Sequence, residues 1–236
     1  MRIISDMISF FRLPEAVIDL MKAETEGNDP FYAELVENYY KEANTPHPRY
    51  KLFGAMRYGV ALCQLPRSFE DYLKIVEASG RRNVKKAERL GYLFSRINFN
   101  DYLIDIGEIR RSAQWRQGKM PDEIINSPVM PIQNPPSRTN IHDYVYFGVL
   151  KEKKLVAYAG LFVAGEMAMI EHILGHAEYQ QDGIVPLLII GMANEIFKSY
   201  PKVKYYCYGT WFGASVTMRR FKKKFGFRPY KVKWEL

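Results

Sequence analysis

The chain has 236 residues, 47% hydrophobic and 25% charged, which excludes disordered, collagen-like and low-complexity classes and suffices for a sizeable core without disulfide or metal staples. The net charge of +8 is uneven: residues 1 to 50 hold nine acids against five bases, so the front is acidic and the body basic. No apolar run reaches the roughly 20 residues of a membrane span; the start carries Asp6, Arg12, Pro14, Glu15 and Asp19 where a signal peptide needs an apolar core, and Cys63 and Cys207 lie outside any CxxC spacing, so a cytoplasmic protein with reduced thiols is expected.

In chain order, the first 45 residues read as helical, from Phe10, Phe11 and Leu13 through Val17, Leu20 and Met21 to Phe31, Leu35, Val36, Tyr39 and Tyr40. Residues 1–66 are expected to form a helical extension or cap on a domain of residues 67–236. Tyr50 to Leu65, rich in aromatic and β-branched residues and ended by Pro66, reads as a strand or hairpin. Ser68, with Asp71 three residues on, opens a helix towards Gly80. A second helix runs to Gly91, with Arg81, Lys85 and Arg89 four apart on one face and Arg82 and Lys86 beside them.

Tyr92 to Ile97 reads as a strand and Asp101 to Gln117 as a helix. Between Gly118 and Ile141 stand Pro121, Pro128, Pro131, Pro135 and Pro136, in a segment long enough to be a lid or a linker. Tyr144–Leu150, Leu155–Val163 and Met167–Leu174, joined by turns at Lys151–Lys154 and Gly165, predict three antiparallel strands. Gly183–Tyr200 is an apolar helix, Val203–Tyr208 a strand, Val216–Phe225 a basic helix and Arg228–Trp234 a last strand.

This order over residues 92 to 236 resembles the GNAT superfamily of acyl-CoA N-acyltransferases, which implies an α/β (α+β) fold with a mixed, mainly antiparallel sheet flanked by helices. That family carries Q/R-x-x-G-x-G/A between the fourth strand and the following helix; Gln180-Gln181-Asp182-Gly183-Ile184-Val185 matches at Gln180 and Gly183, while Val185 replaces the last small residue. Free N–H groups at a helix N-terminus bind phosphate oxygens, so Gln180, Gln181, Gly183 and Ile184 are the expected binders of the acyl-CoA pyrophosphate. Asp182 opposes them. Phe221, Lys222, Phe225 and Gly226 fit the F-K-x-x-F-G pattern of the Fem-type aminoacyl transferases, a GNAT offshoot, and the basic helix at Arg81–Ala87 is similar to one in those relatives.

Acyl transfer to an amine needs a base, a donor for the oxyanion and an acid for the leaving group. Glu171, amid Met167, Met169, Ile170 and Ile173, is the expected base, since desolvation raises a carboxyl pKa. His172 is the alternative; strand alternation places it on the opposite face, so only one of the two is expected to enter the cleft. Tyr208 and Lys222 are the candidate acids. By resemblance the helix bearing Ser112, Arg116 and Gln117 lines the acceptor pocket, joined by His172 and by Trp211 beyond Tyr208, with the proline-rich segment as cover. A G-x-S-x-G elbow is absent, and His47, His142, His172 and His176 lack zinc-site spacings, so no metal is expected.

The expected activity is N-acyl transfer from a thioester of coenzyme A or an acyl carrier protein to an amine of a small molecule or amino sugar. The basic clusters, Arg81–Arg89 and Arg219–Lys233, also fit a nucleic acid or an acidic carrier protein as partner. Two further readings are a Fem-type transfer from aminoacyl-tRNA, or acylation of a nucleic-acid base, and a non-catalytic GNAT-like assembly module.

Overall fold

A computed structural model describes residues 13–25, 27–46, 56–116 and 120–236. Its elements are β1 (Glu15–Asp19), α1 (Pro30–Asn44), β2 (Tyr58–Gln64), α2 (Phe69–Ile75), α3 (Ala78–Arg89), β3 (Leu93–Ile97), α4 (Leu103–Arg111), α5 (Asp122–Asn126), β4 (His142–Lys151), β5 (Lys154–Ala164), β6 (Met167–Gly175), α6 (Ile184–Ser199), β7 (Tyr205–Thr210), α7 (Val216–Lys224) and β8 (Arg228–Glu235). All eight strands form one sheet in the order β1-β8-β2-β7-β6-β5-β4-β3. The β1–β8 and β6–β7 pairs are parallel and the others antiparallel. The mixed, mainly antiparallel sheet flanked by helices is as expected.

Among the described residues the front of the chain is not helical throughout. β1 replaces the helix expected across Val17 and Leu20, because Pro14 starts an extended stretch in which Ala16 and Ile18 alternate inward and the backbone pairs with β8. β2 enters the middle of the sheet between β8 and β7. Among the described residues α1 and a 3-10 turn at Lys22–Glu24 answer the helical reading, while Phe10, Phe11, His47, Tyr50 and Gln117 lie outside those residues.

α6 is apolar nearly all round, and it buries Ile184, Leu187, Leu188, Ile189, Met192 and Ile196 against one face of the sheet. Each fully buried aliphatic side chain contributes roughly 1.5–3 kcal/mol, so this helix anchors the core, with α2, α3 and α7 around it. The cap foreseen at Ser68 is present: its Oγ accepts from the Asp71 N–H at 3.1 Å and donates to the Asp71 carboxylate at 3.0 Å.

The opposite face carries α1 and α4, over separate cores centred on Phe162 and Trp234 and on Tyr158 and Ile106. The proline-rich segment bridges them. Asn100 on the α4 side exchanges hydrogen bonds with Ile132 at 2.9 Å, and Tyr32 of α1 donates to the Pro135 carbonyl at 2.8 Å. Backbone N–H of Arg138 donates to Asp29 at 2.9 Å, so the segment is a strap fastened to both helices. Among the described residues no helix is long and apolar enough to cross a membrane.

Candidate active site

β6 and β7 pair only over Met167–Met169 and Tyr205–Cys207, and beyond that they separate. The cause on β6 is a bulge. Glu171 faces Gly160 and Leu174 faces Tyr158, so three steps on β6 match two on β5. His172 absorbs the extra residue in a left-handed conformation, φ 49°, a state that costs a non-glycine residue about 1–2 kcal/mol. Such outliers concentrate at functional sites.

The bulge breaks the simple alternation. Ile173 joins the core under α6, whereas Glu171 and Leu174 lie on the α1/α4 face. His172 is exposed at the strand's bend, and its Nε2 stands 3.7 Å from Glu171 Oε2. Simple alternation would put this pair on opposite faces; with the bulge their side chains stand side by side instead. Burial, with the charge of Glu42 adding to it, pushes the Glu171 carboxyl up to about 7. Partial desolvation by the surrounding protein, with the charge of Arg110 adding to it, holds His172 below the ordinary imidazole value.

On the β7 side, Lys222 of α7 is only 5% exposed. Its Nζ donates to the carbonyls of Tyr208 at 2.6 Å and Thr210 at 2.8 Å, on the stretch of β7 that has left β6. The ammonium also lies 4.6 Å from the centre of the Tyr208 ring, a cation–π contact. Burial lowers its pKa to about 8. Tyr208 itself is buried, packed edge-on against Phe227 with ring centres 5.6 Å apart, and burial keeps its phenol neutral well above the ordinary range. Glu171 on the α1/α4 face of β6 and Lys222, reaching the end of β7 from α7, thus stand beside the two strands that part here; between them the Cys207 thiol is held neutral, chiefly by burial. Trp211 follows β7 half-buried, its backbone N–H donating to the Gly59 carbonyl at 2.6 Å.

The turn before α6 is already occupied. Gly183, at φ 89°, lies so close to α3 that a Cβ there would fall 2.3 Å from the Asn83 carbonyl oxygen. Lys86 Nζ donates to the Gln181 carbonyl at 2.9 Å and stands 3.3 Å from the Asp182 carboxylate, which also accepts from Tyr92 at 2.8 Å. These bonds, led by that of Tyr92, hold Asp182 below the usual carboxylate range. Gln180 accepts the Gly183 N–H at 3.3 Å, and Ile184 is fully buried. An ionised carboxylate and a packed carbonyl stand where the pyrophosphate of coenzyme A was expected, so this turn does not fit that group.

Ser112 and Arg116 form a brace. Arg116 donates to the carbonyls of Gly175 at 2.8 Å and Ile109 at 2.7 Å, and Ser112 Oγ accepts from the Ala177 N–H at 3.0 Å. They tie the end of α4 to the end of β6 with groups that were expected to hold substrate. Among the described residues no three His, Cys, Asp or Glu side chains are grouped to hold a metal ion. Sequence reasoning passed over Gly160, Tyr144 and Tyr146 beside Glu171, and Arg110 of α4; an isolated glycine inside an apolar strand was the one signal available.

No family model matches the sequence, and no curated protein is similar to it at a significant level. Solved structures resemble its fold. FemX is 11% identical with a TM-score of 0.55, over 84% of this chain and 66% of that one. The C-terminal domain of a putative lysylphosphatidylglycerol synthetase from Agrobacterium fabrum is 15% identical over 72% of this chain and 57% of its own, TM-score 0.48. A tandem GNAT protein from the clavulanic acid biosynthesis pathway is 13% identical over 73% of this chain and 50% of its own, TM-score 0.47. This chain therefore spans between half and two thirds of the length of these structures. At such identities the likeness is one of architecture: the chain has a GNAT-type fold with a Fem-type resemblance.

Proposed function

We propose that the protein transfers an acyl group to an amine, with Glu171 and Lys222 as the acid–base pair. The observation that carries this reading is their placement beside the two strands that part here, Glu171 on β6 and Lys222 on α7 bonded to the end of β7, one carboxyl with a pKa of about 7 and one ammonium at about 8. Glu171 removes a proton from the acceptor ammonium, and the freed amine attacks the acyl carbonyl. A C–N bond forms and the C–O or C–S bond to the carrier breaks. Lys222 protonates the departing oxygen or sulfur, and the second amine proton leaves to solvent. His172, 3.7 Å from Glu171, positions or relays that proton.

The closed turn at Gly183 and the basic surface favour a polyanionic macromolecule as donor, an aminoacyl-tRNA ahead of coenzyme A. α3 and α7 adjoin, with Glu77 accepting from Arg220 at 2.6 Å and donating its backbone N–H to the Lys224 carbonyl at 2.8 Å. Exposed Arg82, Lys85, Arg89 and Lys223 extend over the two elements, and Arg228 at the start of β8 adjoins them through a 3.0 Å bond to the Lys223 carbonyl. An acyl thioester on an acidic carrier protein is the second reading, since the same surface suits acidic side chains. The unpaired, buried thiols of Cys63 and Cys207 support a reducing, cytoplasmic compartment.

The test is transfer to an amine from aminoacyl-tRNA, acyl carrier protein and acyl-CoA in parallel, with tRNA retention measured against salt. Contacts to about four phosphates predict roughly a 50-fold or greater loss of affinity between 50 and 200 mM salt. Product from tRNA, with reversal of Arg82, Lys85 and Arg89 abolishing it, supports the reading. Product from acyl-CoA alone overturns the donor assignment, and none from any donor leaves the assembly-module reading.

A further inference from the structure

The face of the sheet between α1 and α4 carries a cluster of partly exposed side chains, Tyr144, Tyr146, Glu171 and Arg110, of which the transfer chemistry above uses only Glu171. Tyr146, Gly160 and Glu171 lie directly opposite one another across β4, β5 and β6, so one row of the sheet has an aromatic ring, no side chain, and a carboxyl. The missing side chain is needed. A Cβ at Gly160 would lie 3.0 Å from the Tyr144 ring and 3.3 Å from Glu171 Cβ, so Tyr144 and Glu171 converge over the bare backbone. Tyr144 packs beside Tyr146 with ring centres 5.4 Å apart, and Phe162 links Tyr144 to Tyr39 of α1 at 6.1 and 5.5 Å.

Two groups near this cluster lack a natural counterpart. The Tyr39 hydroxyl is shut off from solvent and makes no hydrogen bond among the described residues, although it lies within the field of the Glu171 and Glu42 carboxylates. A buried hydroxyl left unpaired costs about 1–3 kcal/mol, a cost that a ligand atom would remove. Arg110, on the last turn of α4, donates from Nε to the Tyr158 hydroxyl at 3.2 Å and pairs with no carboxylate among the described residues. Its charge acts on Tyr146 and His172, the neighbours of Glu171 on either side. A carboxylate and a guanidinium therefore flank one aromatic floor, and neither neutralises the other.

We propose that this cluster binds an acceptor that is itself zwitterionic, a primary ammonium with an anionic group a few bonds away. The ammonium lies on Glu171 over the Tyr144 and Tyr146 rings, with the Tyr39 hydroxyl as a further ligand, and the anion is held by Arg110. Free amino acids and phosphate-bearing amines share this chemistry. The proposal rests on the acyl-transfer reading for calling the ligand an acceptor, but its binding is measurable without any donor. It also gives the front of the chain a role, since α1 contributes Tyr39 and Glu42.

Saturation-transfer NMR on the full chain, which reads millimolar affinities, tests it with L-alanine, L-alaninamide, lactate and O-phosphoethanolamine. Each charge-assisted contact is expected to contribute about tenfold or more, so L-alanine or O-phosphoethanolamine binds at least tenfold tighter than alaninamide or lactate. The stronger of the two identifies the anion. Arg110→Gln removes the advantage over alaninamide, Glu171→Gln the advantage over lactate, and Tyr39→Phe weakens the preferred probe about two- to tenfold. Equal binding of alaninamide, or no binding of any probe, overturns the proposal. Binding in this pattern with no transfer from any donor refutes the acyl-transfer reading alone, and efficient transfer to amines lacking an anion refutes this inference alone.

Discussion

Removing the Lys222 ammonium should erase a specific dependence of stability on pH. Its pKa falls from an ordinary 10.5 to about 8 in the folded chain because only two carbonyls and one ring replace its hydration. A lysine whose folded pKa is depressed opposes folding wherever both states are protonated, and that opposition fades as pH rises from about 8 through 10.5. At about 1.4 kcal/mol per tenfold change in proton affinity, the full penalty is about 3 kcal/mol. About 2 kcal/mol of it is relieved between pH 7 and 9.5. The perturbation is Lys222→Met, which keeps the stem and deletes the charge. Leaving the Tyr208 and Thr210 carbonyls unbonded lowers the variant's stability by about 1–3 kcal/mol each, but it flattens the slope. Urea unfolding followed by circular dichroism across this range should show wild-type stability gaining about 2 kcal/mol on the variant. The other titrating groups cancel in the difference. A difference that stays constant to pH 9.5 would show that Lys222 titrates as a solvated lysine and would refute its assignment as a neutral-range acid.

Two further substitutions separate structure from chemistry. Arg116→Met strips the donors from the Gly175 and Ile109 carbonyls and should destabilise the fold by about 2–4 kcal/mol in urea titrations. Acceptor KM should hold, since Arg116 is a positioning residue, and a raised KM at unchanged stability would restore it to the substrate. Gly183→Ala adds a Cβ against the Asn83 carbonyl and forces a left-handed alanine, for a loss of about 2–4 kcal/mol. Unchanged stability would mean that α3 can leave the turn and free it for phosphate.

The architecture from α2 onward was legible because its signals are local. Alternation marks β4 to β6, Gly165 their turn, Ser68 a cap, and the apolar run from Ile184 a buried helix. β1 was not, since five residues with Val17 and Leu20 fit a helix as well as a strand until β8 supplies the partner. The site was half legible. Glu171 and Lys222 stood out as a carboxyl in an apolar strand and a lysine in a recognisable motif. The bulge at His172 depends on register with β5, and the packing of Asn83 on Gly183 joins segments a hundred residues apart in sequence, so neither leaves a trace in spacing. Tyr39 and Arg110 read as a core aromatic and a surface charge, and only the fold brings them towards Glu171.

The most direct test of the central claim, that the β6–β7 opening carries an acid–base pair for acyl transfer, is the single-turnover transfer rate as a function of pH. The rate should rise through about 7 as Glu171 ionises and fall through about 8 as Lys222 loses its proton. Glu171→Gln should abolish the acidic limb and lower the maximum by about 10²- to 10⁴-fold, while Lys222→Met should abolish the alkaline limb. Full activity in Glu171→Gln, with both limbs in place, would contradict the account.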